Sequence, residues 1–105
     1  MTPQEKDALA LRRALAQRQL DWRTLRDIVT RHLGTGSPIV EKITESSIGW
    51  LSGLAQTLSE AAWLRFATTG SLDGSGPLKL SNADLRHLRG GWAFATLRCA
   101  LDHEG

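Results

Sequence analysis

Tyrosine is absent from this chain, and cysteine occurs once, at Cys99. A lone cysteine excludes an internal disulfide framework and points to a reducing compartment. No apolar run long enough to span a membrane is free of charge. The longest, residues 48–67, contains Gln56, Glu60 and Arg65, so a membrane span is not expected. The first residues are polar and charged and read as no secretory leader, which makes the cytoplasm the expected location. Paired carboxylates, a Ser-His-Asp set and a nucleotide loop are all missing as patterns. Gly34-Thr35-Gly36-Ser37 lacks the lysine, the spacing and the preceding strand of a phosphate-binding loop. No catalytic residue, no cofactor and no enzyme activity are therefore assigned. Cys99 and His103, with His87, have the spacing of three metal ligands. A fourth is missing, so Cys99 reads as a small core residue and no metal is assigned.

The chain has 105 residues, 41% of them apolar and 23% charged, which suits one ordinary small domain over 1–105. The net charge is +2, and ten of the thirteen cations are arginine. The charge is uneven. Residues 1–42 carry eight cations against five anions, residues 43–78 one against three, and residues 79–105 four against three. The basic excess lies in the first part, a distribution compatible with nucleic acid.

Capping signals and a helical period recur along the chain. Thr2, Pro3 and Glu5 form a capping box for a helix over 3–18, with Ala8, Leu11, Ala14 and Leu15 inward and Arg12 and Arg13 outward. Asp21 caps a second helix over 22–33, whose apolar face holds Leu25, Ile28, Val29 and Leu33, with His32 beside them. Its outer face carries Arg23, Arg26, Asp27, Thr30 and Arg31. That face is either a phosphate-contacting surface or a solvated one with Arg23–Asp27 and Asp27–Arg31 pairs. Gly34 ends the helix, Thr35 and Gly36 turn, Ser37 caps and Pro38 starts a third helix. Helix, tight turn and helix within 22–50 form a helix-turn-helix candidate. The N–H groups at Ser37 to Val40 are expected to face a docked anion.

Residues 48–67 read as one central core helix, with Trp63 on its polar side, exposed and available to a partner unless a neighbour covers it. Residues 68–77 are a loop rich in Gly, Ser and Thr with an Asp73-Gly74 turn. Either it is flexible or it is the tip of a wing hairpin pairing 64–67 with 78–80. Ser81 to Asp84 cap a further helix with Leu85 and Leu88 inward, Gly90-Gly91 break it, and 92–101 form a last helix apolar almost all round. Such a helix is buried in the domain or in a homodimer. Residues 102–105 are expected to fray. A short echo links Arg31-His32-Leu33 with Arg86-His87-Leu88. The expected fold is all-α, a bundle of five to six helices, with the wing hairpin as an option.

The stretch Leu33-Gly34-Thr35-Gly36-Ser37-Pro38, with Trp50 downstream, resembles the N-terminal DNA-binding region of the KfrA-type plasmid regulators. The resemblance covers about a quarter of the chain. It implies a helix-turn-helix regulator of transcription on a plasmid or other mobile element, with double-stranded DNA and a second copy of the chain as partners. Under that reading Gly36, Ser37, Lys42 and Thr44 lie on or beside the recognition helix, and Arg23, Arg26 and Arg31 anchor phosphates. The rival reading is a small protein-binding module or inhibitor that uses Trp63 and Trp92 as anchors and does not bind DNA.

Overall fold

The computed structural model describes residues 1–72 and 80–103. Seven α-helices and one 3-10 turn account for most of them, and no strand occurs among the described residues. The order is α1 (Pro3–Ala16), α2 (Trp22–Leu33), α3 (Pro38–Lys42), α4 (Glu45–Thr57), α5 (Glu60–Thr69), α6 (Asn82–Leu88), the 3-10 turn (Arg89–Gly91) and α7 (Trp92–His103). The all-α expectation holds. The helix count exceeds five to six because the expected core helix over 48–67 is two helices.

The break falls at Leu58 and Ser59. Leu58 has extended backbone, and the Ser59 hydroxyl accepts from the Ala62 N–H to start α5. A restarted helix has a new rotational phase, so the wheel drawn through 48–67 fails beyond residue 57. Trp63, placed on the polar side by that wheel, is 0% exposed and donates from its indole Nε1 to the Ala8 carbonyl oxygen at 2.9 Å. Ser52 on α4 is buried as well.

Helix α7 is the central strut and packs against α1, α2, α3, α5 and α6. Most of its residues from Trp92 to Leu101 are covered within the chain, which removes the need for a second copy to cover it. Thr96, fully buried, meets its hydrogen-bonding need by donating to the Trp92 carbonyl oxygen at 2.8 Å. The helix runs to His103, so 102 and 103 are not frayed, while 104–105 lie outside the described residues.

Helix α1 is bound to the α4–α5 pair by side chain to backbone bonds in both directions. Arg12, expected to point outward, donates from a guanidinium nitrogen to the Leu58 carbonyl oxygen at 2.8 Å. Gln56 donates to the Ala16 carbonyl oxygen, also at 2.8 Å. Each bond satisfies a carbonyl in the last turn of a helix or just past it, where no backbone N–H is available. Helix α1 ends at Ala16 rather than at 18, and Arg18 takes a left-handed φ of 55° that glycine would occupy with less strain.

The wing hairpin does not form, because 64–67 is helical in α5. Its second strand lies largely, and the Asp73-Gly74 turn wholly, outside the described residues. Two side chains expected inward face outward: Leu33 is 45% and Leu85 48% exposed. His32 is also exposed rather than in the core, its ring edge-on to His103 with centroids 5.8 Å apart. No described helix is long and apolar enough to cross a membrane.

Candidate nucleic-acid interface

The helix that starts at Pro38 stops after five residues. At 1.5 Å per residue it is only about 7.5 Å long, little more than one turn. Ile43 adopts an extended conformation and is fully buried, which fixes the corner. Thr44 then starts a new helix through a reciprocal capping box. Its hydroxyl accepts from the Ser47 N–H at 3.1 Å, and the Ser47 hydroxyl accepts from the Thr44 N–H at 2.8 Å. The chain therefore turns twice within ten residues, and Lys42 and Thr44 stand at the second turn, not on a long recognition helix.

That second corner faces α6. Lys42 and Thr44 share a cleft of about 370 Å³ with Ser46, Arg86, His87 and Arg89, and Trp92 forms part of its wall. Lys42, Arg86 and Arg89 make no ion pair among the described residues, and Glu41 is the carboxylate in the lining. Three cations from two distant segments thus meet around the first turn of α4, whose partial positive charge adds to theirs. The cleft lining carries three cations against one carboxylate, Glu41, while Asp84 acts on His87 from α6 and Glu45 occupies the first turn of α4.

Helix α6 buries no residue completely, so its place depends on specific contacts. Trp50, half-buried on α4, donates from Nε1 to the Asp84 carboxylate at 2.7 Å. The other carboxylate oxygen accepts from the Ser81 N–H at 2.8 Å and completes the cap of α6. The Trp50 N–H above all, then the Ser81 backbone N–H, hold the Asp84 carboxyl below its ordinary range. The His87 ring stacks on the Trp50 indole, with centroids 4.8 Å apart and planes within 20°, and meets Trp92 edge-on at 6.0 Å. These contacts set Arg86 and Arg89 opposite Lys42.

The other sequence-predicted residues lie elsewhere. Arg23 and Arg26 line a shallow groove on α2 with Trp22 and Thr30, and the Arg23 guanidinium sits 5.3 Å from the centroid of the Trp22 ring. Of the two ion pairs expected on this face, Arg31–Asp27 forms at 3.2 Å and Arg23–Asp27 does not, so Arg31 is partly neutralised. At the first turn, Gly34 closes α2 with a φ of 88°, and its N–H donates to the Thr30 oxygen. The N–H groups expected to be open at α3 are occupied. Ser37 donates to the Gly34 oxygen, Ile39 to the Ser37 hydroxyl and Val40 to the Ser37 oxygen, and Pro38 has no N–H. The anion expected there has no open donors. Gly36 has nothing within 4 Å of where a Cβ would be, so its backbone is open to close approach.

The rival pair of anchors is internal: Trp63 is 0% and Trp92 3% exposed. Trp63 turns inward because of the restart at Ser59, and Trp92 because it opens the central helix α7. Sequence reasoning missed Arg86, His87 and Arg89. The signal was present as two arginines at i,i+3 flanking a histidine, immediately before Gly90-Gly91. Comparison with family models, curated proteins and solved structures finds no match to this chain.

Proposed function

We propose that this chain binds double-stranded DNA through its backbone phosphates and acts as a regulator on a plasmid or other mobile element. The observation that carries the DNA reading is the meeting of Lys42, Arg86 and Arg89 in one cleft at the N-terminal end of α4. These cations make no ion pair among the described residues, and such cations release counterions from DNA on binding. Arg23 and Arg26 on the outer face of α2 add further phosphate contacts. Support for the regulatory role is narrower: the Leu33–Pro38 turn that resembles the KfrA-type proteins folds as a helix-ending glycine followed by a capped helix. With α3 only one turn long, base reading is confined to Lys42, Thr44 and their neighbours, and most of the affinity comes from phosphates. A module anchored by exposed tryptophans is not favoured, since both proposed anchors are buried.

The test is duplex binding by fluorescence anisotropy over a salt series. Removing each cation as Lys42→Ala, Arg86→Ala or Arg89→Ala should flatten the slope of log K against log salt by about 0.9. Arg31→Ala, which removes an already paired cation, should change it less. Absence of binding at low ionic strength, or unchanged slopes in all three variants, overturns the reading.

A further inference from the structure

His87 stands apart from its neighbours in the cleft. Its ring is held by the stack on Trp50 and the edge contact with Trp92. Its nitrogens nevertheless make no hydrogen bond among the described residues, although its ring lines the same cleft as Lys42, Arg86 and Arg89. A fixed ring with unengaged nitrogens, beside three cations, is arranged to donate to an anion at little entropic cost.

We propose that a phosphate entering this cleft is bound with uptake of one proton by His87, so that the site strengthens as pH falls. The inference rests on the phosphate-binding reading above and adds to it the group that regulates it. The groups facing His87 decide the direction. Lys42 from α3, with Arg86 and Arg89 beside His87 in sequence, oppose a fourth positive charge while the cleft is empty. Asp84 on its own helix and Glu41 from α3 favour one, but both Asp84 oxygens already accept hydrogen bonds, from Trp50 and Ser81. Trp50 and Trp92 offer ring contacts to the imidazole, and the Trp50 face attracts a cation stacked on it. An arriving phosphate shifts this balance toward the imidazolium by supplying negative charge and acceptor oxygens. By linkage the proton and the phosphate then strengthen each other to the same extent. Histidine is the side chain whose charge changes most readily near neutral pH, which brings the coupling within reach of a pH titration.

The wild-type chain and His87→Gln are titrated with duplex DNA at about pH 5.5 and pH 7.5 and constant salt. In parallel, the His87 ring proton shift of the wild type is followed by NMR against pH, with and without inorganic pyrophosphate. The wild type should bind DNA about tenfold more tightly at the lower pH, with a salt slope steeper by about 0.9, as one added phosphate contact requires. His87→Gln should bind with little pH dependence, and pyrophosphate should move the His87 titration upward. Equal pH dependence in both proteins overturns the proposal, because the proton then resides elsewhere, at His32 or His103. DNA binding by the wild type without pH dependence also overturns it and leaves the DNA reading intact. If no duplex binds, the pyrophosphate arm decides. An upward move supports a proton-coupled phosphate site and removes only the DNA reading, whereas no move removes both.

Discussion

Asp84→Ala should loosen α6 while leaving most of the bundle folded. The side chain accepts from Trp50 Nε1 at 2.7 Å and from the Ser81 N–H at 2.8 Å, and α6 buries no residue of its own. A hydrogen bond to a charged group is worth about 1.5–3 kcal/mol, and partial exposure of Asp84 puts this one at the low end. Loss of its half of the capping box adds about 0.5 kcal/mol. The total, about 2 kcal/mol, is a roughly thirtyfold rise in the open population of α6. Amide hydrogen exchange across 82–91 should accelerate by about that factor, and exchange in α1, α4 and α5 by less. Uniform acceleration would make α6 part of the global cooperative unit, and no acceleration would mean that the Trp50 contact does not hold it; either result refutes the reasoning. DNA affinity should fall and the salt slope should flatten in proportion to the open population, because displaced Arg86 and Arg89 no longer meet phosphates. The pH dependence follows from the depressed Asp84 carboxyl. Its contribution is fully present above the ordinary aspartate range and is lost as pH falls through the lower folded-state value. Tryptophan fluorescence should therefore show an acid transition below that range in the wild type and not in Asp84→Ala.

Trp63→Phe removes the bond to the Ala8 oxygen and leaves unfilled volume, at a cost of about 2–3 kcal/mol; a melting temperature within a few degrees of wild type would contradict the burial described above. Arg18→Gly relieves the left-handed φ of 55° and should raise the melting temperature by a few degrees, for a gain of about 0.5–1 kcal/mol, with a fall as the refuting result in calorimetry. Burial, with a smaller contribution from Asp102, pushes the Cys99 thiol above its ordinary range. Iodoacetamide at mildly alkaline pH should leave native Cys99 unmodified and alkylate it in denaturant, as read by mass spectrometry.

The helical starts were the most legible part of the chain. Thr2, Asp21, Ser37 and Ser81 each begin a helix where the sequence indicates, because a cap is a local hydrogen bond between residues two or three apart. The same rule applied to Ser59 would locate the break between α4 and α5, but continuous hydrophobicity across 48–67 hides it. A missed break shifts the rotational phase beyond it, which puts Trp63 on the wrong face while Ala62 and Phe66 stay inward. The candidate site was half legible. Lys42 and Thr44 were found, since they follow the turn in sequence. Arg86, His87 and Arg89 were not, since only tertiary packing sets them beside residue 42. The echo between Arg31-His32-Leu33 and Arg86-His87-Leu88 turns out to be local: both stretches end a helix shortly before a glycine of positive φ, Gly34 and Gly90.

The ties that close α1 onto its neighbours impose an order on synthesis. Arg12 meets Leu58, Gln56 meets Ala16 and Trp63 meets Ala8, at separations of 46, 40 and 55 positions. At about 5–20 residues per second a ribosome takes roughly 3–11 s to travel the longest of these. Throughout that interval Ala8, Leu11 and Leu15 have no finished surface to pack against. The nascent segment must wait as a marginal helix, exposed to chaperones and proteases, until α5 leaves the exit tunnel. Synonymous codons that slow translation between residues 16 and 63 should therefore lower the yield of intact protein more than the same codons placed after residue 70.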